Sequence, residues 1–289
     1  MFDNKNLKPM LLKEVSKPFN NNDYLYELKF DGYRVIVYVS NTSLVIKSRN
    51  GHDITYKYPE LQVLQKIVEN KKVIFDGELV IMNNSIPSFR ELQKRGQLTN
   101  KAKIKEASLN NPVTFVAFDI LYQNKDLTNL PLLKRKEILA KYPDNNIFIK
   151  SKVFSDGEKL FKVVKDFGFE GIVAKLKNSP YIPGKRVDFW LKIKNFKIEK
   201  FYVHGIITNA YKYSLLLGEY HNNKFYYVGK VSIMKNSNLA SELQKIPKSN
   251  NLFQNYDKEG EFIKPIIKVK VNYLERTENN ILRQPTIFK

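Results

Sequence analysis

Tyr26-Glu27-Leu28-Lys29-Phe30-Asp31-Gly32-Tyr33-Arg34 reads as a β-strand running into a turn at Gly32. Side chains alternate across a strand, so Glu27, Lys29 and Asp31 share one face while Leu28 and Phe30 share the other. An acid-base-acid row fits a solvated face as well as a reactive one, and the spacing alone does not choose between them. The surroundings have to.

Alternation of the same kind marks further strands at Tyr24 to Phe30, Arg34 to Val39, Leu44 to Ser48, Val73 to Met82, Val113 to Tyr122, Gly171 to Lys175 and Asp188 to Lys194. Helical spacing is expected over Pro59 to Asn70, which places Leu61, Leu64, Ile67 and Val68 on one face. A capping box at Ser155 and Glu158 opens a second helix, with Gly168 as its stop. Strands and helices mix without strict alternation, so the fold class is α+β. Beyond Asn195 the pattern changes to short Tyr- and Val-rich strands, Ile198 to Ile207, Tyr213 to Tyr220, Lys224 to Ser232 and Pro265 to Leu274. One helix, Asn236 to Lys245, interrupts them. That set suits a small barrel of the OB type and predicts two domains, 1–195 and 196–289.

Lys and Arg number 49 against 29 Asp and Glu, a formal net charge of +20. Such a field favours polyanions, although AT-rich coding also inflates Lys and Asn. The basic residues are spread among apolar ones without a polybasic tail, which points to nucleic acid rather than a membrane surface. With no cysteine, a disulfide framework, a thiolate nucleophile and a thiolate zinc site are all excluded. His52, His204 and His221 show no ligand spacing, so any metal is expected to be a hard ion such as Mg²⁺ or Mn²⁺ held by carboxylates. Neither a signal-peptide core nor a membrane-spanning apolar run is seen, and a cytoplasmic location is expected.

The lysine segment resembles the nucleotidyl-lysine motif K-x-D-G-x-R of ATP-dependent DNA ligases, RNA ligases and capping enzymes. Five further elements of that superfamily follow in order: Ser48-Arg49-Asn50-Gly51, Phe75-Asp76-Gly77-Glu78-Leu79, Phe118-Asp119-Ile120-Leu121, Glu170-Gly171-Ile172-Val173-Ala174-Lys175 and Trp190-Leu191-Lys192-Ile193-Lys194. Ser88-Phe89-Arg90-Glu91-Leu92-Gln93, Tyr181-Ile182-Pro183-Gly184-Lys185-Arg186 and the tail from Tyr273 to Pro285 are similar to the ligase domains of bacterial end-joining ligase D. The resemblance covers almost the whole chain. It implies a nucleotidyltransferase domain of mixed and antiparallel sheets followed by an OB-fold, with ATP as AMP donor and nicked duplex DNA as substrate. A monomer is expected, with a Ku-like end-binding protein as a possible partner. An RNA ligase or capping-type enzyme is the alternative, and an inactive OB-fold nucleic-acid binder is a further one.

Lysine has a reference pKa of about 10.4, so a nucleophilic lysine must lose its proton before attacking phosphorus. Arg34, Lys192, Lys194 and a metal are the groups whose field would assist. Lys192 and Lys194 share a strand face, and in the family they hold the α-phosphate. Glu78 and Glu170 lie at strand ends, suited to a cation that keeps several waters, with Asp31 as a third candidate. The resemblance further implies that Glu27 reads the adenine amine and that Glu78 contacts the ribose. Phe118 would stack on the base, although its spacing with Val116 and Ile120 equally fits a core aromatic. Arg49 would lie near the ribose and triphosphate, and Arg186 would contact nucleotide or the nick phosphate. Trp190 is read as a boundary core residue and His52 as a surface residue. Arg283 corresponds to the C-terminal motif, which departs from the family pattern: Asn279-Asn280 stands where glycine is frequent, and Asn tolerates a left-handed turn.

Overall fold

The computed structural model describes residues 1–83 and 86–288. The chain divides into two compact units, Met1–Asn195 and Phe196–Lys289. In the first, strands β1 (Leu11–Glu14), β2 (Tyr24–Leu28), β3 (Tyr33–Val39), β4 (Leu44–Ser48) and β5 (Val73–Val80) precede a small hairpin, β6 (Met82–Asn83) and β7 (Ile86–Pro87). They are followed by β8 (Thr114–Gln123), β9 (Phe148–Lys150), β10 (Gly171–Leu176) and β11 (Arg186–Lys194). Five helices are interspersed: α1 (Leu64–Ile67), α2 (Phe89–Gln97), α3 (Lys101–Asn110), α4 (Leu132–Leu139) and α5 (Gly157–Phe167).

Two sheets result. One has the order β4-β3-β5-β8-β9 and the other β1-β11-β10-β2. Both are antiparallel except for the parallel pairs β8-β9 and β1-β11. Tyr33–Val39 is apolar on both faces because both are covered. Val35, Val37 and Val39 enter one core with Phe75 and Phe115. Ile36 and Tyr38 face the other way and meet Val173 and Trp190 of the second sheet. The site lies between these sheets. On the far side of the second sheet, α5 seats Leu160, Phe161 and Val164 against Tyr26, Ile172 and Ile193.

Two helix expectations change in detail. The cap of α5 is Asp156, which accepts from Lys159 N at 2.9 Å. Asn20 takes the Gly157 and Glu158 amides, so the Ser155 capping box does not form. Gly168 does end this helix, at φ 70°. The segment after Pro59 is a 3₁₀ turn, Pro59–Val63, running into the four-residue α1; it still buries Leu61, Leu64 and Val68. Helix α2 was not foreseen, although Ser88 caps it by accepting from Glu91 N, the S-x-x-E signature.

The second unit holds one antiparallel sheet, ordered β14-β13-β12-β16-β17 with β15 on β12. Its strands are β12 (Lys197–Thr208), β13 (Lys212–His221), β14 (Lys224–Met234), β15 (Glu261–Phe262), β16 (Lys268–Tyr273) and β17 (Thr286–Ile287). Bulges between Val203 and Gly205 and between Leu217 and Gly218 bend the long strands. The sheet curls into a half-barrel consistent with an OB-fold. Helix α6 (Asn238–Leu243) contributes Ala240 and Leu243 to the core of this unit. Among the described residues, no helix is long and apolar enough to cross a membrane.

Candidate active site

Gly32 carries the lysine segment out of β2 and back into β3. A Cβ there would stand 2.1 Å from Leu79 O, so only glycine lets this turn lie against β5. Lys29 sits just past β2, its amide bonded to Gly171 O at 2.9 Å. Its Nζ reaches Glu170 Oε2 at 2.5 Å, with Glu170 almost wholly buried at the mouth of β10.

Behind Lys29 a small cavity, open to solvent, is lined by Glu27, Lys29, Arg34, Glu78, Phe118, Lys175 and Trp190 among others. Five of the residues singled out in the sequence therefore converge. Phe118 forms one wall while also packing edge-on against Trp190, 6.0 Å between centroids, so it is both a core aromatic and an exposed ring face. Arg34 lies 5.2 Å from the Phe118 centroid. Its guanidinium is held by Asp76, at 3.1 and 2.7 Å, and Tyr181 donates to the same carboxylate at 2.7 Å. Trp190 is buried, as expected, but it also lines the cavity, and its indole N–H finds no acceptor among the described residues.

Glu27 is fully buried between two cations: Lys175 at 3.0 Å and Lys136, reaching in from α4. Burial opposes ionisation of Glu27, but Lys136 and then Lys175 outweigh it and hold the carboxyl below its ordinary range. Burial pushes Lys175 down to about 8. No role for Lys136 or Lys175 emerged from the sequence, because nothing local links residues 136 and 175 to residue 27. Removing Glu27 strands two buried ammonium groups, so Glu27→Ala is expected to cost about 3–5 kcal/mol. Urea denaturation of the mutant measures this, and a loss below 1 kcal/mol would contradict the ion-pair assignment.

Glu78 stands on β5 opposite Arg34. Burial pushes its carboxyl up to about 8; Lys29 and Arg34 pull it down, while Glu170 and Asp76 repel it. Burial likewise raises Glu170, against the pull of Lys29. A raised carboxyl lends stability that is complete below its ordinary value of 4.5 and is lost as pH rises to about 8. In chelator, the melting temperature of the wild type relative to Glu78→Gln should therefore fall between pH 4.5 and 8. A constant difference across that window would refute the raised carboxyl.

Lys192 and Lys194 project from β11 as expected, and both face Glu14 of β1, at 3.0 and 3.8 Å. Lys194 is lowered by burial and by Lys192, and it also feels Glu170 and Lys29, which joins the lysine pair to the Lys29 cluster. Asp31 acts on Glu170. Asp31, Glu78 and Glu170 do not form a ready ligand set: among the described residues, no group of three or more His, Asp or Glu could hold a metal ion. Glu170 is engaged by Lys29 instead. Two carboxylates still suit Mg²⁺, which binds through one or two of them plus phosphate oxygens. Arg49 is exposed in the turn after β4 and Arg186 is exposed in β11, donating to Leu12 O; neither lines the cavity. Arg283 belongs to the second unit and pairs with Glu275. His52 is exposed; His204 is buried and bonded to Ile263 O and Leu252 N.

A cavity with a lysine at its mouth, and a second pair of lysines on the neighbouring strand β11, thus sit in the first unit, which an OB-type unit follows in the chain. Residues 9–194 match the ATP dependent DNA ligase domain, and residues 209–289 match the ATP dependent DNA ligase C terminal region. The chain belongs to the ATP-dependent DNA ligase family. It is 30% identical to the multifunctional non-homologous end joining protein LigD of Mycolicibacterium smegmatis, over 99% of this chain and 39% of that protein. It is also 30% identical to the SPbeta prophage-derived DNA ligase-like protein LigB of Bacillus subtilis, over 72% of this chain and 75% of that one. A solved mycobacterial DNA ligase D complexed with ATP and MES superposes with TM-score 0.63 at 26% identity, covering 98% of this chain and 94% of that one. The chain spans about two fifths of the length of the mycobacterial LigD proteins it matches.

Proposed function

We propose that this chain seals nicks in duplex DNA, in repair or end joining, through a Lys29-AMP intermediate. The observation that carries this reading is the juxtaposition of Lys29 and Glu170 at the mouth of a cavity walled by Glu27, Phe118 and Trp190. The purine lies against Phe118, its exocyclic amine donating to Glu27. Glu27 accepts but cannot donate, so a guanine O6 in the same place would be repelled.

Lys29 Nζ attacks the α-phosphorus, the bond to the β-phosphate bridging oxygen breaks, and pyrophosphate leaves. The nick 5′-phosphate then takes AMP from Lys29, and the 3′-hydroxyl displaces AMP to close the strand. Each step is an in-line displacement at phosphorus, so Lys192 and Lys194 serve all three by neutralising equatorial oxygens. Glu170 orients Lys29 Nζ. Glu78 and Glu170, with Asp31 nearby, are the residues that would hold Mg²⁺ or Mn²⁺. Such an ion supplies further neutralisation of phosphate charge. Arg49 and Arg186 are assigned to the triphosphate side and the nick phosphate. A monomer in the cytoplasm is the simplest setting, with a Ku-like end binder as a partner for broken ends.

Incubation with labelled ATP or GTP, denaturing electrophoresis, and sealing of nicks with DNA or RNA on each side test this directly. Labelling by ATP and closure of DNA nicks are expected. Labelling by GTP instead, or closure of RNA nicks alone, would replace the reading with a capping or RNA-ligase one.

A further inference from the structure

We propose that Glu14 is an internal counterion that occupies the seat of the transferred phosphate and yields it when nucleotide arrives. The proposal rests on the reading of Lys192 and Lys194 as phosphate-holding residues. Alternate residues on a strand put the two ammonium-bearing side chains on one face, with Cα atoms about 6–7 Å apart. Two like charges so placed repel, and the field of Lys29 adds to theirs. A single oxygen, Glu14 Oε2, meets both, 3.0 Å from Lys192 Nζ and 3.8 Å from Lys194 Nζ. That is how one phosphate oxygen would be held.

The backbone holds Glu14 in place. Glu14 is in register with Lys192 in the parallel β1-β11 pair, and the Val15 amide bonds to Lys192 O at 3.1 Å. Its side chain is 47% exposed, so its own charge is readily hydrated when it turns out to solvent. Next to it, Lys13 pairs with Asp188 at 2.8 Å. A triphosphate carries several negative charges against one on Glu14 and displaces it. When AMP departs after sealing, the carboxylate returns to the lysine pair and product release is eased.

Glu14→Gln keeps the shape and removes the charge. It is expected to tighten binding of tripolyphosphate, followed by calorimetry, roughly threefold to tenfold, the scale of two partly exposed ion pairs. The KM for ATP in Lys29 adenylylation should fall in parallel and AMP release should slow. Asp188→Asn raises the net charge equally on the same strand without touching the lysine pair, and should change tripolyphosphate affinity less than twofold. Equal tightening in both variants would mean a general charge effect and overturn the proposal. So would unchanged or weaker binding in a Glu14→Gln protein that melts like the wild type. Should the wild type fail to take up AMP, the ligase reading falls, while the tripolyphosphate titration still decides the role of Glu14.

Discussion

Lys29→Ala will take up no label from ATP, while melting at close to the wild-type temperature. The side chain is partly exposed at the cavity mouth and forms an ion pair with Glu170, so its loss leaves a carboxylate that can protonate. Chemistry is lost altogether, because phosphoramidate formation requires an amine lone pair within reach of the α-phosphorus. Lys175 is the other lysine lining the cavity, and it is held deep within it by Glu27 and covered by the Phe118 and Trp190 rings, at 4.5 and 4.2 Å. It cannot substitute. Arginine at position 29 should fail too, since a guanidinium stays protonated. Denaturing electrophoresis after labelling decides the matter: undiminished adenylylation of Lys29→Ala would remove the nucleophile assignment. The same mutant given a nick already carrying AMP should still close it measurably, because that step needs no lysine nucleophile.

Arg283→Ala is expected to cut self-adenylylation by roughly 10² or more, the usual cost of removing a transition-state donor. Sealing of a pre-adenylated nick should survive. A guanidinium suits the β- and γ-phosphates of a leaving pyrophosphate, which is gone before the strand closes. Arg283 stands on a tight return of the chain, with its amide bonded to Glu275 O at 2.9 Å and its carbonyl accepting from Leu274 N at 3.1 Å. Asn280 makes the turn at φ 60°, the left-handed conformation foreseen for it. Arg276 braces that turn, donating to Asn280 at 2.9 Å and to Glu219 at 2.5 and 3.0 Å. Arg283 can therefore be truncated without dismantling its support. Measuring both reactions on a folded mutant separates the roles: an equal fall in each would make Arg283 a general DNA or structural contact.

The sequence by itself determined the α+β class and, through the resemblance of its six motif elements, named five residues that the structure gathers around one cavity. Those readings rest on local rules: side chains alternate along a strand, glycine marks a close turn, and six short elements succeed one another in a fixed order. The strand face of Lys29 was legible within a few neighbours, whereas Glu78 and Phe118 were singled out only through the resemblance, and the structure sets all three on the same cavity. Tertiary structure alone decided the rest. Glu27 is gripped by Lys175, 148 positions away, and by Lys136 from a helix that periodicity did not reveal. Asp76 and Tyr181, 105 positions apart, jointly hold Arg34. Glu14 meets Lys192 only because β1 pairs in parallel with β11, and Glu170 is drawn to Lys29 rather than into a three-carboxylate set. Each of these is an electrostatic match across strand pairings that are chosen by burial of the whole core, and no local pattern encodes which distant charge a buried group will meet.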